Sequence, residues 1–573
     1  MAILASARRL AVRSARADPV LIAAAGIGVV VAFLALYPTA MLFVGSVSDA
    51  PLGVAGRFTL ANYLTAYGDP DTYRLIGNSF VFAGGAALLS VLLAGVLAWI
   101  TVRTNAPGRA LFELVAIVPN VLPPLLVSTS WVLLLSPRIG LINVALMQRL
   151  GLPPFNVYSM PGMIFVEALI LAPLAFLIIA AAMRSMDPAL EEAARVAGSS
   201  ALQVGRRITT PLIRPALLAA GILNFVRAIE SFDTPAIIAV PARIEVFTTK
   251  IFREALSAYP PNHNLAATYA MSLLVITMTL VYFYRRFTGR AERFSTITGR
   301  AYRPHPVDLG PWRYAASAVA ALMLCVIVLL PFLILVLTSV LPFYEVPSWS
   351  TFHLVTLKHY AFLLDSSRVS RALRISTLLA TGGATLAMIL ASAVAYLTVR
   401  TRIPGRAGLE ILTFIPLAFP GTALAIGLLW GYVRLPVPIY ATAWILLIAY
   451  VTRFLPFGLR AMTSTMVQVH TELEEASRLC GAGLLATFRR ILLPLLMPGF
   501  MAGWAILATI FMREFSTSLF LYTPRSEPVG PLLYHLWIDA QFGRMAALGV
   551  VVSLLSVGLV AAARRVSRTP LAG

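Results

Sequence analysis

The sequence predicts an all-α polytopic membrane protein made of two homologous six-helix halves, about 12 transmembrane helices in all, and three observations carry that prediction. Apolar runs of twenty or more residues recur along the chain, the length a helix needs to cross about 30 Å of hydrocarbon. The composition is 59% hydrophobic and only 12% charged, outside the range of soluble domains. A polar block near residue 192 returns near residue 475 without a gap, so the plan is written twice. Because the apolar runs are continuous rather than alternating, a β-barrel is excluded.

The arginines set the orientation. A formal charge of +21 would suggest nucleic acid in a soluble chain, yet these arginines sit in short clusters between apolar runs. That is the positive-inside pattern, and it directs basic segments to membrane lipid at the cytoplasmic face, with no nucleic acid as partner. We therefore expect a multi-pass protein of the cell inner membrane with both termini cytoplasmic. The two cysteines, Cys325 and Cys480, make no disulfide framework.

In the first half, Arg8, Arg9, Arg13 and Arg16 precede an apolar stretch from Pro19 to about Val44, too long for a signal peptide and read as an uncleaved first span. A second span runs from about Ile76 to Thr101 and ends in a basic turn, Arg103 to Arg109. The third is expected over about Leu111 to Leu135, kinked by Pro119, Pro123 and Pro124, whose freed carbonyls neighbouring helices must satisfy. Residues 137–160 read as an external loop with a short amphipathic helix, and a fourth span, about Met163 to Met183, returns the chain inside. The fifth starts at Pro211 and ends near Glu230 to Ala236, and the sixth follows external residues 237–263 and ends at Arg285 and Arg286. An arginine-rich polar stretch then links the halves.

The second half repeats the plan. Val102-Arg-Thr and Pro107-Gly-Arg109 reappear as Val399-Arg-Thr and Pro404-Gly-Arg406, and Pro119 and Pro123 as Pro416 and Pro420, all at an offset of 297. At the polar block the offset has fallen to 283, a difference the loop 137–160 absorbs. Spans seven to twelve are then expected near 313–341, 375–399, 408–432, 438–459, 494–520 and 543–563. The division is a first domain 1–290, a cytoplasmic linker 291–312 and a second domain 313–573.

Each copy of the polar block reads as helix, bend, helix. Glu192, Ala193, Ala194 and Gly198 are followed by Arg206, Arg207, Pro211 and Pro215; Glu475, Ala476, Ser477 and Gly481 are followed by Arg489, Arg490, Pro494 and Pro498. Asp187 and Pro188 suit an N-cap and first helical position, and Thr471 with Glu474 has capping-box spacing. Gly198 and Gly481 stand where the first helix should stop in a left-handed conformation.

Glu-Ala-Ala, three residues, Gly, then a basic helix and Pro-Leu-x-x-Pro resembles the EAA loop of permease subunits of binding-protein-dependent ABC importers. The resemblance covers nearly the whole chain, which is similar to the fused permeases of ferric-iron importers. Importers of thiamine, 2-aminoethylphosphonate or polyamine share the architecture. The resemblance implies the type I ABC importer fold, with EAA loops at 187–215 and 470–498. It also implies that Glu192, Ala193, Ala194, Gly198, Glu475, Ala476 and Gly481 couple to an ATPase. The partners implied are two copies of a cytoplasmic ATPase subunit and a periplasmic substrate-binding protein. Two departures stand out: Ser477 replaces the second Ala, and Gly205 in the first copy faces Phe488 in the second, which suggests a better-anchored second copy. A twelve-span secondary transporter would explain the hydropathy but not the repeated loop.

Chemistry on the chain itself is sparse. The two lysines, Lys250 and Lys358, follow no Walker-type glycine run, so ATP hydrolysis is expected on a partner and the chain is expected to be no enzyme, without catalytic residues or cofactor. The six histidines lack metal-ligand spacing, so no metal site is expected. What remains is charge at membrane depth, which costs at least a few kcal/mol unless paired or wetted: Glu167, Arg227, Glu230, Arg513 and Glu514. Glu230 aligns with Arg513, and Phe232-Asp233-Thr234 with Phe515-Ser516-Thr517, at the offset of 283. Arg227 can pair with Glu230 one helical turn on. Glu230, Asp233, Arg513 and Glu514 are the candidates for a translocation path.

Overall fold

The computed structural model describes residues 19–117, 122–187, 189–291, 306–345, 351–436 and 439–568. The N-terminal arginines, Pro119, Pro188 and the centre of the linker lie outside the described residues. In the first half the helices used below are α1 (Pro19–Ser46), α2 (Pro70–Ala98), α3 (Arg109–Ile117), α4 (Pro124–Leu135), α5 (Met160–Ser185), α6 (Ala189–Val196), α7 (Thr210–Ile229) and α8 (His263–Ala291). In the second they are α9 (Trp312–Leu324), α10 (Leu330–Val340), α11 (Ser367–Leu378), α12 (Ala384–Arg400), α13 (Arg406–Phe414), α14 (Gly421–Tyr432), α15 (Ala443–Gln468), α16 (Glu472–Leu479), α17 (Leu493–Met512), α18 (Val529–Ile538) and α19 (Phe542–Arg568). Single π-helical turns join α9 to α10 and α11 to α12 and carry α2 on to Arg103.

Ten helices among the described residues are long and apolar enough to cross a membrane. The count falls short of twelve because two expected spans are broken. Instead of one helix over 408–432, the stretch Arg406–Ala418 meets Gly421–Tyr432 at 108°. Phe419 is extended ahead of Pro420, as a residue before proline prefers, and Pro420 opens α14. The expected span 111–135 is likewise two pieces, α3 and α4, with Pro123 capping the second. Prolines read as kinks thus act as breaks, which is tolerable because the helix after each break is enclosed by protein: every residue of α14, and Leu125 to Leu134 of α4, is buried. Smaller corrections follow from caps. The tenth span runs Ala443–Gln468 rather than 438–459, its start fixed by the Thr442 hydroxyl accepting from the Trp444 amide at 3.2 Å. The eleventh stops at Met512 rather than near 520. Loop 137–160 holds one π-helical turn, Asn143–Met147, with the Asn143 amide donating to the carbonyls of Leu135, Ser136 and Phe155.

The two halves interlock. α1 lies along α14 of the other half as well as α8 of its own, and α10 lies along α4 of the other half and α19 of its own. Small residues make the α1–α14 approach possible. A side chain on Gly45 would meet the Trp430 ring at 2.7 Å, and one on Gly431 would meet Tyr37 at 2.6 Å. The Tyr37 hydroxyl also donates to the Gly431 carbonyl at 3.0 Å. From the second half, the Tyr344 hydroxyl donates to the carbonyls of Leu133 and Ile139 in the first. Burial pushes that hydroxyl up to about 12, so it remains a donor at neutral pH. The end of the linker is docked too: Val307 exchanges backbone hydrogen bonds with Arg103 and Asn105 at 2.7 and 3.1 Å.

Candidate functional site

The repeated block forms two short helices, α6 and α16, at corresponding places after α5 and α15. The Asp187 carboxylate accepts from the Ala189 amide at 2.9 Å, as an N-cap should, and the Thr471 carbonyl receives the amides of Glu474 and Glu475. Gly198 and Gly481 have φ of +89° and +80°, the left-handed bend the spacing calls for. Glu192, Ala193, Glu475 and Ala476 are exposed and Ala194 is half-buried. The same helices expose registered apolar side chains, Val196 at 90% and Leu479 at 88%. Phe488 is 43% exposed, so within the chain it does not anchor the second copy more firmly. Ser477 does contribute there: its hydroxyl lies 2.9 Å from that of Thr487, tying α16 to the helix after the bend.

After each bend the chain enters a span, α7 or α17, and about 30 Å farther along, at 1.5 Å per residue, both spans end at the seam between the halves. Phe232 and Phe515, equivalent by the offset of 283, stack on each other there at 5.5 Å and 15°, both buried. Phe252, Phe520 and Tyr534 close around them, with Phe232–Phe252 at 5.3 Å and Phe515–Tyr534 at 5.3 Å. The five rings form an apolar plug of side chains where equivalent positions of the two halves meet.

Charges ring the plug. Arg227 pairs with Glu230 at 2.9 Å, as the helical spacing foretold. Glu514 accepts from Arg453 at 3.0 Å, from the amides of Thr517 and Ser518, and from the Ser518 hydroxyl at 2.7 Å. Arg513 reaches across the seam to the Leu122 carbonyl at 2.9 Å, in the break between α3 and α4. Asp233 lies within electrostatic reach of Arg453, Arg513 and Glu514. The four path candidates are therefore brought together, and Glu167 joins them by accepting from the Ser231 hydroxyl at 3.1 Å. Glu514 is the most heavily hydrogen-bonded, so it also holds the turn that presents Phe515.

The family model for the inner membrane component of binding-protein-dependent transport systems matches residues 86–291 and again 383–569, one match in each half. The chain belongs to this family. As a permease it has relatives that align over most of its length. It is 25% identical over 539 residues to the ferric transport system permease protein FbpB of Actinobacillus pleuropneumoniae, covering 92% of this chain and 75% of the relative. It is 27% identical over 493 residues to a putative ferric transport system permease of Haemophilus influenzae, covering 85% of this chain and 74% of the relative. One half also matches the spermidine/putrescine permease PotC of Escherichia coli, 27% identical over 226 residues, 39% of this chain and 84% of that protein. Both expected repeats and the fused ferric-type layout are thus established, and members of this family are transporters rather than enzymes.

Sequence reading missed three features of the permease. Arg453, inside α15, carries its own signal, an arginine within an apolar run. The aligned phenylalanines carry no signal of their own in the sequence beyond standing next to charge. Of the paired glutamates, the reading favoured Glu192 and Glu475, whereas Glu191 and Glu474 are the buried ones. Spacing within the block gives no signal for that, because the large apolar residues of each short helix, Leu190 and Val196, Leu473 and Leu479, are themselves exposed, and the buried side is set by Arg103 and Arg400 far away in the chain.

Proposed function

We propose that this permease moves a small solute, ferric iron before the alternatives, from a periplasmic binding protein into the cytoplasm, driven by ATP hydrolysis on two copies of a separate subunit. Both termini and the EAA loops are then cytoplasmic, and residues 1–290 and 313–573 act as two permease domains. One observation carries the mechanism: each EAA loop leads straight into a helix whose far end holds one phenylalanine of the plug. A displacement of α6 or α16 by an ATPase is delivered along a rigid helix to Phe232 or Phe515. Parting the two rings opens the seam, and the charges around it, Glu230, Asp233 and Glu514 against Arg227, Arg453 and Arg513, line the opened path. Because the charges nearly balance, they wet the path without holding a cation tightly, as transit requires.

The ferric assignment draws support from relatives named for ferric transport that align over most of the chain. A polyamine reading draws on the match to PotC. Uptake of radioactive ferric iron and radioactive putrescine into cells overproducing the complete system separates the two. Iron uptake abolished by deletion of the permease is the expected result, and deletion that removes only putrescine uptake would overturn it. For the mechanism, Phe232→Ala with Phe515→Ala should let solute leak through reconstituted membranes without ATP, and membranes as tight as wild type would refute the plug.

A further inference from the structure

Between each EAA loop and the spans it follows, the chain repeats a buried ion pair. Arg103, at the end of the second span and 2% exposed, stands 3.6 Å from Glu191 and donates to the Met186 carbonyl at 3.3 Å. Arg400, its counterpart 297 residues on, stands 3.4 Å from Glu474 and donates to the carbonyls of Met466 and Val469. Each arginine thus gathers three elements: the end of the second span of its half, the end of the fourth, and the first turn of the short helix. Glu191 adds a fourth by accepting from the Thr209 hydroxyl at 2.5 Å, just before α7. A guanidinium does not shed its proton, so a buried one needs its counter-ion. The repetition excludes accident, since two different offsets, 297 for the arginines and 283 for the glutamates, still bring the partners together.

We propose that Arg103 and Arg400 are positioning residues for energy coupling. Through Glu191 and Glu474 they fasten each short helix to the spans above it, so that its displacement moves α2 and α12 together with α7 and α17. The pairs do not touch solute or nucleotide; they set how much of the loop's motion reaches the membrane. This rests on the reading of the EAA loops as coupling elements.

The test uses the native Cys480, exposed beside Gly481, as a spin-label site in a Cys325→Ser background, within the intact permease–ATPase complex in lipid nanodiscs. Arg400→Gln should shorten the label's rotational correlation time about two-fold or more, since the helix loses its tether to the spans. Arg103→Gln, in the other half, should leave that label unchanged, and Arg400→Lys should restore much of the order. Ferric iron carried per ATP hydrolysed should fall on the order of ten-fold in Arg103→Gln and Arg400→Gln, while the ATPase still copurifies. If Arg400→Gln does not fold, Glu474→Gln removes the same pair with little change of shape and should give the same loosening. An unchanged label in both variants overturns the proposal. A loosened label with normal transport per ATP keeps the tether but overturns the coupling reading beneath it.

Discussion

Which carboxylates at the seam hold the fold and which serve the path is decided residue by residue. Glu514→Ala would leave Arg453 buried without its counter-ion, and removing one partner of such a pair costs about 3–5 kcal/mol. The expected outcome is a clear fall in Tm of the detergent-purified protein. Glu230→Gln should cost far less, about 1 kcal/mol or below, because its partner Arg227 is 40% exposed. Its effect should appear in transport instead. At the EAA bends, no atom lies within 4 Å of a side chain added at Gly198 or Gly481, so substitution strains only the left-handed backbone, by about 1–2 kcal/mol. A Gly198→Val, Gly481→Val double variant should insert normally yet lose ATPase pulldown and binding-protein-stimulated hydrolysis together. Normal pulldown and stimulation would remove these loops as the coupling elements.

Between elements, the halves meet through the glycine-mediated approach of α1 to α14. A side chain at Gly427 would run into the Pro38 carbonyl, whereas one at Gly28 on α1 meets nothing within 4 Å. Gly427→Leu is therefore expected to destabilise by about 1–3 kcal/mol, the usual cost of overpacking, and Gly28→Leu by much less. Equal melting temperatures for the two variants would refute the close approach. The orientation of the elements is open to impermeant labelling of single cysteines. Positions near 198 and 481 should react only from the cytoplasmic side, and those near 150 and 250 only from outside. The spans themselves were legible because an apolar run twenty residues long has one stable fate in a bilayer. The broken pairs α3–α4 and α13–α14 were not, because hydropathy counts residues and does not register which prolines end a helix.

At the scale of the whole molecule, the interlock of α1 and α10 with opposite halves shapes what a cut chain can do. We expect chains severed near residue 297 and coexpressed to reassemble and transport, since the linker carries no span. Either fragment alone should melt below the intact protein, because its first span loses the short helix it covers. A first half that purifies alone with an unchanged Tm would contradict the interlock, and fragments that never reassemble would contradict the two-domain division. The asymmetric use of symmetric positions also belongs to this scale. Glu230 and Arg513 are equivalent in sequence, yet one pairs within its own helix and the other crosses the seam to Leu122.

The sequence alone determined what rests on local pattern: helical class, the twofold plan, the repeated blocks with the Asp187 cap and the left-handed glycines, and the Arg227–Glu230 pair one turn apart. Each is written within a few residues, or twice at a fixed offset, so it can be read without folding the chain. Tertiary structure alone decided the stacking of Phe232 on Phe515, the meeting of Arg103 with Glu191 and of Arg400 with Glu474, and the crossing of each first span to the other half. Those contacts join residues far apart in the chain, where the choice of partner depends on which helix faces are buried against each other, and hydropathy cannot say which apolar surface another will cover.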